Sequence, residues 1–244
     1  MEELKPDGYS ESGSPIYKYE PQDRDIEPVS GDPNTISHID EHLDRFFADE
    51  DISVFHEIIS DKVHIDIYMI KANAERPYNV LMTSGLSSLP MNVPEGLEGL
   101  AYAEIYTILP ADWPLTQDAF DNEDNYWPIR QLKTLARFPH LYGTWIGEGH
   151  TIANGNPPEP MSPNCGFEGV ILLSGFTLPE GFAFIETGDK VISVLSMIPL
   201  YAEEMDYKLK KGTDALLEKF DKYNISEIID VNRKNTCKKK FGFF

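Results

Sequence analysis

Residues 63–91 constrain the fold more than any other part of this 244-residue chain. Apolar residues at 63, 65, 67 and 69 alternate with His64, Asp66 and Tyr68, which is the period-two pattern of a half-buried β-strand. A polar link then leads to a second strand-like run at residues 78–82. Small residues break the pair at Thr83-Ser84-Gly85, as in a tight turn. The stretch therefore predicts two adjacent central strands that end in a hydroxyl-rich loop.

The remaining chain mixes predicted helices with predicted strands. Helices are predicted from a cap at Thr35 or Ser37, from Trp127-Pro128 to Pro139, and over residues 201–211 and 214–223. Further strands are predicted over residues 102–109, 141–152, 167–173, 181–186 and 190–199.

These elements predict an α+β (mixed α/β) domain with a central, twisted, largely antiparallel mixed sheet flanked by helices. We assign this domain to residues 35–230. Residues 1–34 are rich in Pro, Gly, Asp, Glu and Ser, which predicts an irregular arm. Residues 231–244 form a basic tail that contains phenylalanines.

The charge balance narrows the range of partners. The chain has 21 Lys and Arg against 41 Asp and Glu, a formal net charge of −20. Such a field repels nucleic acid and anionic membranes and attracts basic proteins, although acidity can also serve solubility alone. Cys165 and Cys237 are too few and too far apart for a disulfide scaffold or a zinc site. With no signal peptide or membrane-spanning run, a cytoplasmic location is expected.

The sequence offers weak candidates for catalysis or metal binding. His64 and Asp66 project from one strand face, where they could hold a metal, but a satisfied polar pair is more common. The 83–87 loop offers hydroxyls but lacks a Gly-x-Ser-x-Gly elbow, and Ser and Thr are ordinary turn residues. Paired carboxylates such as Glu203-Glu204 are expected to be solvated on a helix surface. We therefore predict no enzyme activity, no metal and no cofactor.

Binding of a protein is the better-supported function. Acidic residues are interleaved with aromatic ones in residues 118–127 and 138–150. Aromatic anchors surrounded by carboxylates suit a surface that captures a basic protein, although about half of the aromatics are expected to fill the core. The candidate partner-binding residues are Asp118, Asp121, Glu123, Asp124, Tyr126, Trp127, Phe138, Trp145, Glu148 and His150.

Several motifs, in order, resemble those of the suppressor of fused family. They are HIDIYMI (64–70), RPYNVLMTSGLSSLPM (76–91), AEIYTILP (103–110) followed by Asp112-Trp113, Trp127-Pro128, LARF (135–138) and IPLYAEEMDYKLKKGTDALLEKF (198–220). The family-motif residues that serve either structure or binding are Asp66, Tyr78, Thr83, Ser84, Gly85, Ser87, Pro90 and Met91.

The resemblance implies a twisted mixed sheet flanked by helices and a non-enzymatic, protein-binding role. Animal members of the family sequester a zinc-finger transcription factor by gripping an extended peptide, and the matching segment here is 137–150. This segment departs from the family pattern, since one residue is missing and Glu148 replaces an aspartate. The second lobe of the animal proteins is expected to be absent.

Bacterial single-domain relatives resemble immunity proteins or antitoxins. The sequence thus leads to three hypotheses. The first is an immunity protein that neutralises a cognate toxin, possibly a nuclease, by stoichiometric binding. The second is a peptide-binding regulatory adaptor, and the third, least favoured, is a hydrolase that uses the 83–87 loop. The oligomeric state stays open.

Overall fold

The structure of the protein is a computed structural model that describes residues 5–20 and 28–238. The strands are β1 (Gly8–Tyr9), β2 (Pro15–Ile16), β3 (Ile52–Phe55), β4 (Asp66–Ile70), β5 (Tyr78–Ser84), β6 (Ala103–Pro110), β7 (Thr151–Ala153), β8 (Gly169–Ser174), β9 (Phe184–Glu186) and β10 (Val191–Leu200). The helices are α1 (Pro33–Phe47), α2 (Glu123–Tyr142), α3 (Ala202–Lys211) and α4 (Thr213–Tyr223).

The main sheet has the order β3-β4-β5-β6-β10-β8-β7, and β9 pairs with the first residues of β10. Among the described strands of this sheet, only β6 and β10 run parallel, and the other neighbouring pairs are antiparallel. A mixed, largely antiparallel sheet flanked by helices confirms the predicted fold class. Within the residues described, no helix is both long enough and apolar enough to cross a membrane.

Helices cover both faces of the sheet. On one face, Trp127 and Leu132 of α2 join a core that includes Ile67 of β4 and Met197 of β10. On the other, α1 packs over β4, β5 and β6, and α3 and α4 pack over β8 and the end of β10. Every residue of β4 is therefore buried, so the half-buried face predicted for this strand is wrong. The pattern of residues 63–69 located the strand but could not show its second covering layer.

Helix α2 is longer than its sequence predicts. It begins at Glu123, where Asn122 accepts a hydrogen bond from the Asp124 amide at 3.0 Å, and it continues through Pro139 to Tyr142. Gly143 ends it in the left-handed conformation, at φ +61°. The predicted stop at Pro139 is wrong, because the apolar side of α2 is buried against the sheet and offsets the hydrogen bond that proline removes.

Two predicted strands are shorter in the structure. Of the predicted 141–152 strand only Thr151 and Ile152 are regular, in β7, which continues to Ala153. Pairing with β8 extends before β7 through hydrogen bonds from the Gly149 amide to the Leu172 carbonyl and from the Leu172 amide to the His150 carbonyl. The predicted 181–186 strand begins as a 3₁₀ helix at Glu180–Ala183 and becomes β9. Left-handed Gly149, at φ +77°, and the loop before it interrupt the regular ladder.

The N-terminal part of the chain is more ordered than predicted where the structure describes it. Residues 5–20 contain the β1–β2 hairpin. Helix α1 begins at Pro33, and its cap is Asp32, not Thr35 or Ser37, because Asp32 accepts a hydrogen bond from the Thr35 amide at 3.0 Å. Residues 21–27 of the arm, and Lys239, Lys240 and the phenylalanines of the tail, lie outside the described residues.

His42 of α1 lies in the core, 2% exposed, with its Nε2 3.2 Å from the Phe182 carbonyl oxygen. Burial lowers the pKa of His42 from 6.5 to about 4, since a charged imidazole would lose its hydration there. In the unfolded chain the imidazole regains its ordinary pKa. Between these two values the unfolded state binds the proton first, so acidification favours unfolding.

We therefore expect His42 to reduce the free energy of unfolding by about 2 kcal/mol between about pH 7.5 and about pH 5. Urea denaturation of the wild type and of His42→Gln at both pH values measures this effect. Glutamine can still donate to the Phe182 carbonyl but does not titrate, so the variant should lose less stability on acidification. Equal losses in the two proteins would contradict the assignment.

Candidate functional site

The 83–87 turn is built around a buried carboxylate. Glu104 of β6 is 0% exposed. Its Oε1 accepts hydrogen bonds from the Ser87 hydroxyl at 2.6 Å and from the Gly85 and Ser87 amides at 3.0 Å each, and its Oε2 accepts from the Thr83 hydroxyl at 2.6 Å. Burial raises the pKa of Glu104, and the hydrogen bonds from Ser87 and Thr83 oppose that rise. The hydroxyls of this motif therefore hold the turn to the sheet.

Gly85 is required by the same turn. Its φ is +129°, and a Cβ at this position would lie 1.8 Å from the His64 carbonyl oxygen. On the outer side, the Lys190 ammonium donates to the Ser87 carbonyl at 2.9 Å. The Ser84 hydroxyl is buried and has no hydrogen-bond partner among the described residues. None of these groups is presented to solvent as a nucleophile.

His64 and Asp66 belong to a second polar cluster beside this turn. The Ser60 hydroxyl lies 2.5 Å from His64 Nδ1, and His64 Nε2 lies 3.0 Å from Asp66 Oδ1. Asp66 also accepts from the Glu57 amide at 2.9 Å and from His56 Nδ1 at 3.0 Å. The partners follow the order of a Ser-His-Asp triad, but the two ring nitrogens are exchanged and Ser60 is only 6% exposed.

The second cluster thus fixes the β3–β4 loop to the start of β4. The Arg137 guanidinium of α2 contributes by pairing with Glu57. A hydrolase that uses the 83–87 loop requires His64 to bond to Ser84 or Ser87. In the structure His64 bonds to Ser60 instead. Among the residues described, no three His, Cys, Asp or Glu side chains are grouped to hold a metal ion.

Two further carboxylates, those of Glu204 and Glu227, are buried, and no pattern in the sequence indicates this. Glu204 is 0% exposed and pairs with Arg233 through both carboxylate oxygens, at 2.8 and 2.5 Å, so its predicted solvation is wrong. Glu203, beside it, is exposed as predicted. Glu227, 1% exposed, accepts hydrogen bonds from the Tyr106 hydroxyl at 2.8 Å and the Phe176 amide at 2.9 Å. Burial raises the pKa of Tyr106.

The acidic residues of the 118–127 segment lie around the start of α2. Asp118 and Asp121 are exposed, and neither carboxylate has a hydrogen bond or ion pair within the described part of the chain. Glu123 pairs with Arg130 at 2.6 Å, and Asp124 accepts from the Asn164 amide at 3.0 Å. Hydrogen bonds, first that of the Asn164 side chain, lower the pKa of Asp124. Asp118 and Asp121 are thus the carboxylates of this segment free to meet a partner.

The aromatic residues of the two segments have different surroundings. Trp127 is 0% exposed, so it is a core residue and its indole is not available to a partner. Tyr126 is half-buried with its ring centroid 5.9 Å from that of Phe120. Phe138 is half-buried at the other end of α2.

The 145–150 residues form a separate group. The half-buried ring of Trp145 meets that of His150 at 4.4 Å between centroids, and burial lowers the pKa of His150 to about 4. Glu148 is exposed and accepts a hydrogen bond from the Ser174 hydroxyl at 2.9 Å.

The structure divides the predicted contact residues between the two ends of α2. The acidic 118–124 group lies at its first turn, and the 138–150 group follows from its last turns. The 20 residues of α2 span about 30 Å at 1.5 Å per residue. Phe138, in the last turns of α2, is therefore separated from the acidic residues at its first turn by most of the length of the helix.

Of the remaining family-motif residues, Tyr78 and Met91 have contacts within the fold. Tyr78 is half-buried under the Arg76 guanidinium, 5.3 Å from its ring centroid. Met91 is 3% exposed, and its amide donates to the Ala101 carbonyl at 2.7 Å. Pro90 is exposed.

Comparison with solved structures shows that other proteins share this fold. A suppressor of fused homolog from Neisseria gonorrhoeae matches with a TM-score of 0.63 at 18% identity, over 85% of this chain and 99% of that one. A chain of the Sufu-Fu complex matches with a TM-score of 0.59 at 11% identity, over 83% and 92%. Drosophila Suppressor of Fused gives 0.58 at 11% identity, over 85% of this chain and 54% of that one.

The sequence itself matches the family model described as suppressor of fused protein over residues 61–234, more than half of the chain. The chain belongs to the suppressor of fused family, which confirms the resemblance. No protein with curated annotation matches it significantly.

Proposed function

We propose that this protein binds a basic protein partner, and that it acts as a cytoplasmic immunity protein or antitoxin that neutralises a cognate toxin by stoichiometric occlusion rather than by catalysis. The observation that carries the proposal is a net charge of −20 on a fold shared with a chain of the Sufu-Fu complex, a complex between proteins.

Electrostatics explain why a toxin, and a nuclease in particular, suits this protein. Nucleases bind phosphate groups with basic surfaces. An acidic inhibitor can cover such a surface, and complementary fields speed the encounter of the two proteins. Speed matters to an immunity protein, because a free toxin damages its producer until it is captured.

The exposed acids at the start of α2 are the proposed first contact. Asp118 and Asp121 lie on a short 3₁₀ helix that the adjoining α2 holds in place. Because neither carboxylate is paired with a described residue, a basic partner need not break an existing ion pair to reach them.

We expect Asp118→Asn/Asp121→Asn to weaken partner binding about five- to tenfold and to reduce its salt dependence, because two attractive charges at the edge of the interface are lost. The partner to test is the product of the adjacent gene, co-purified with this protein and then titrated at low and high salt. Rescue of growth from that product, when it is toxic, tests neutralisation.

The matched control is Glu218→Gln/Asp221→Asn, an equal change of charge on exposed positions of α4, on the opposite face of the sheet. Equal weakening by both double variants would assign the effect to net charge rather than to this surface. A harmless neighbouring product that forms no complex would rule out the immunity role in favour of the adaptor.

The second candidate is a peptide-binding regulatory adaptor. It is favoured by β7, which lies at one end of the strand order and pairs with β8 alone among the described strands. An edge strand can accept an extended peptide as an additional strand. Tight binding of a short linear peptide, without a folded partner, distinguishes this function from that of an inhibitor.

A further inference from the structure

The start of β10 carries apolar side chains that are open to solvent. Val191 and Ser193 point to the same face of the sheet, because they are two residues apart on one strand. Their antiparallel partners on β9, Glu186 and Phe184, point to that face too. It is the face that carries α2, since Leu195, the next residue of β10 on that side, belongs to the core under this helix. Phe184 is nevertheless 51% exposed and Val191 44% exposed.

Two exposed leucines lie next to this part of the sheet. A 3₁₀ helix at Glu98–Leu100 precedes β6 and lies beside β10. Leu97, just before this helix, is 37% exposed, and Leu100, at its end, is 40% exposed. Exposed apolar residues are normal when they are scattered singly, whereas neighbouring ones mark a binding surface. We call Leu97, Leu100, Phe184 and Val191 the apolar patch.

Acidic side chains surround the apolar patch. Glu95 and Glu98 flank Leu97 in the chain, and Glu186 lies directly opposite Val191 in the pairing of β9 with β10. All three glutamates are exposed. The carboxylates of Glu95 and Glu186 have no hydrogen bond or ion pair with any residue that the structure describes. The edge of the patch therefore carries negative charge that is not neutralised.

Lys190, next to Val191 in the chain, is turned toward the protein. Its ammonium donates to the Ser87 carbonyl at 2.9 Å and lies 4.4 Å from the centroid of the Tyr102 ring. A cation held by a carbonyl and a ring face has less attraction left for the acids around the patch. The surface thus combines an apolar centre with an acidic rim. In protein interfaces an apolar centre supplies affinity, and charges at the rim select the partner.

We propose that the apolar patch anchors an amphipathic segment of a basic partner protein, whose apolar side chains pack on Phe184 and Val191 while its lysines or arginines meet Glu95 and Glu186. Charge complementarity selects this occupant, because a second copy of the chain, with a net charge of −20, would bring its own acids against the rim. Strand β9 has three residues, so an added strand would gain few backbone hydrogen bonds and the contacts come from side chains. The identity of the partner rests on the proposed function, whereas the patch can be tested without a toxin.

The test uses the full chain and a fluorescent amphipathic peptide made of leucine and lysine, which places its leucines along one face of a helix. Fluorescence anisotropy should show that the wild type binds this peptide and that salt weakens the binding. Phe184→Ser/Val191→Ser should weaken it about tenfold, because the apolar anchor is lost. A peptide with glutamate in place of lysine should not bind.

The matched control for the apolar centre is Ile58→Ser/Ile59→Ser. These side chains are 97% and 76% exposed in the loop between β3 and β4, and β4, β5 and β6 separate β3 from β10 in the sheet. The control should leave binding of the peptide unchanged, although it removes apolar surface that is even more exposed. An equal loss in the two double variants would mean that the peptide binds any exposed apolar group, which contradicts the proposal.

The rim is tested by Glu95→Gln/Glu186→Gln, which changes two exposed side chains and should not disturb folding. This variant should bind the peptide about three- to tenfold more weakly and with less dependence on salt, since two attractive charges are lost. Glu218→Gln/Asp221→Asn, the same change of charge on α4, should have a smaller effect. If the two charge variants weaken binding equally, net charge and not the rim attracts the peptide, and the proposal is wrong.

Other outcomes separate the proposal from the immunity role. The proposal is overturned if the wild type does not bind the peptide, or if light scattering shows a wild-type dimer that Phe184→Ser/Val191→Ser dissociates, because the patch would then belong to a second copy. Where the product of the adjacent gene forms a complex, an unchanged affinity for this variant would also overturn the patch and would leave the immunity role standing. Absence of that complex removes the immunity role, and the peptide result then decides the patch alone.

Discussion

Arg233→Ala is expected to lower the free energy of unfolding by about 3 to 5 kcal/mol, because it leaves the carboxylate of Glu204 buried without its counter-charge. The pair is almost fully enclosed, with the side chains 8% and 0% exposed. The guanidinium also donates to the Pro199 carbonyl at 2.8 Å and stacks near Phe167 and Tyr201, at 4.9 Å from each ring centroid. Its loss therefore removes charge, hydrogen bonds and packing at one point.

Urea denaturation followed by circular dichroism measures this effect. Lys234→Ala is the matched control, because the neighbouring side chain is exposed and should change stability by less than about 0.5 kcal/mol. Arg233→Lys should fall between the two, since a lysine keeps the charge but cannot bind both carboxylate oxygens. If Arg233→Ala costs no more than Lys234→Ala, the pair does not hold the end of the chain as the structure indicates.

The regular part of the fold follows from local patterns. The alternation in residues 63–69 located β4, and the apolar run that precedes Pro110 located β6. What the patterns could not supply is the number of layers around each strand. Since α1 and α2 cover opposite faces of the sheet, both faces of β4 are buried, and that depends on contacts between distant segments.

Pro139 marks a position where the predicted end of a helix is wrong. A proline at position 139 predicts the end of a helix, and it would end the helix in an isolated peptide. In the folded protein α2 continues for another three residues, to Tyr142. This extension brings Tyr142 against Tyr19 of the N-terminal arm, with 5.3 Å between the two ring centroids.

The buried carboxylates could not be predicted from the sequence. In an acidic chain, a glutamate on a helix is expected to face water, and Glu204 does not. Its donors come from Thr236 and Arg233, about thirty residues further on, and Tyr106 donates to a glutamate 121 residues away. Only the tertiary fold brings such partners together, and the same holds for Tyr19 and Thr144, 125 residues apart.

The predicted contact residues differ in their exposure to solvent. Asp118 and Asp121 occupy exposed positions, as a contact role requires, whereas Trp127 fills the core between α2 and the sheet. Composition could show that acids and aromatics are neighbours in sequence. It could not show that a 20-residue helix separates the two groups.

Glu104→Leu is expected to destabilise the protein by about 4 kcal/mol or more, because four buried donors lose their acceptor and each unsatisfied group costs about 1 to 3 kcal/mol. Those donors are the hydroxyls of Thr83 and Ser87 and the amides of Gly85 and Ser87, all of which point at one carboxylate. Leucine has a similar volume, so the loss reports hydrogen bonding and not a cavity.

A graded series keeps this prediction testable if Glu104→Leu does not fold. Ser87→Ala and Thr83→Val each remove a single hydroxyl and should cost about 1 to 2 kcal/mol. Exposed Glu95 provides the control, and Glu95→Leu should stay within about 0.5 kcal/mol of the wild type. If the hydroxyl variants match that control, the motif hydroxyls are not needed for the turn. That result would contradict the structural role that the buried positions of Thr83 and Ser87, both 0% exposed, assign to these hydroxyls.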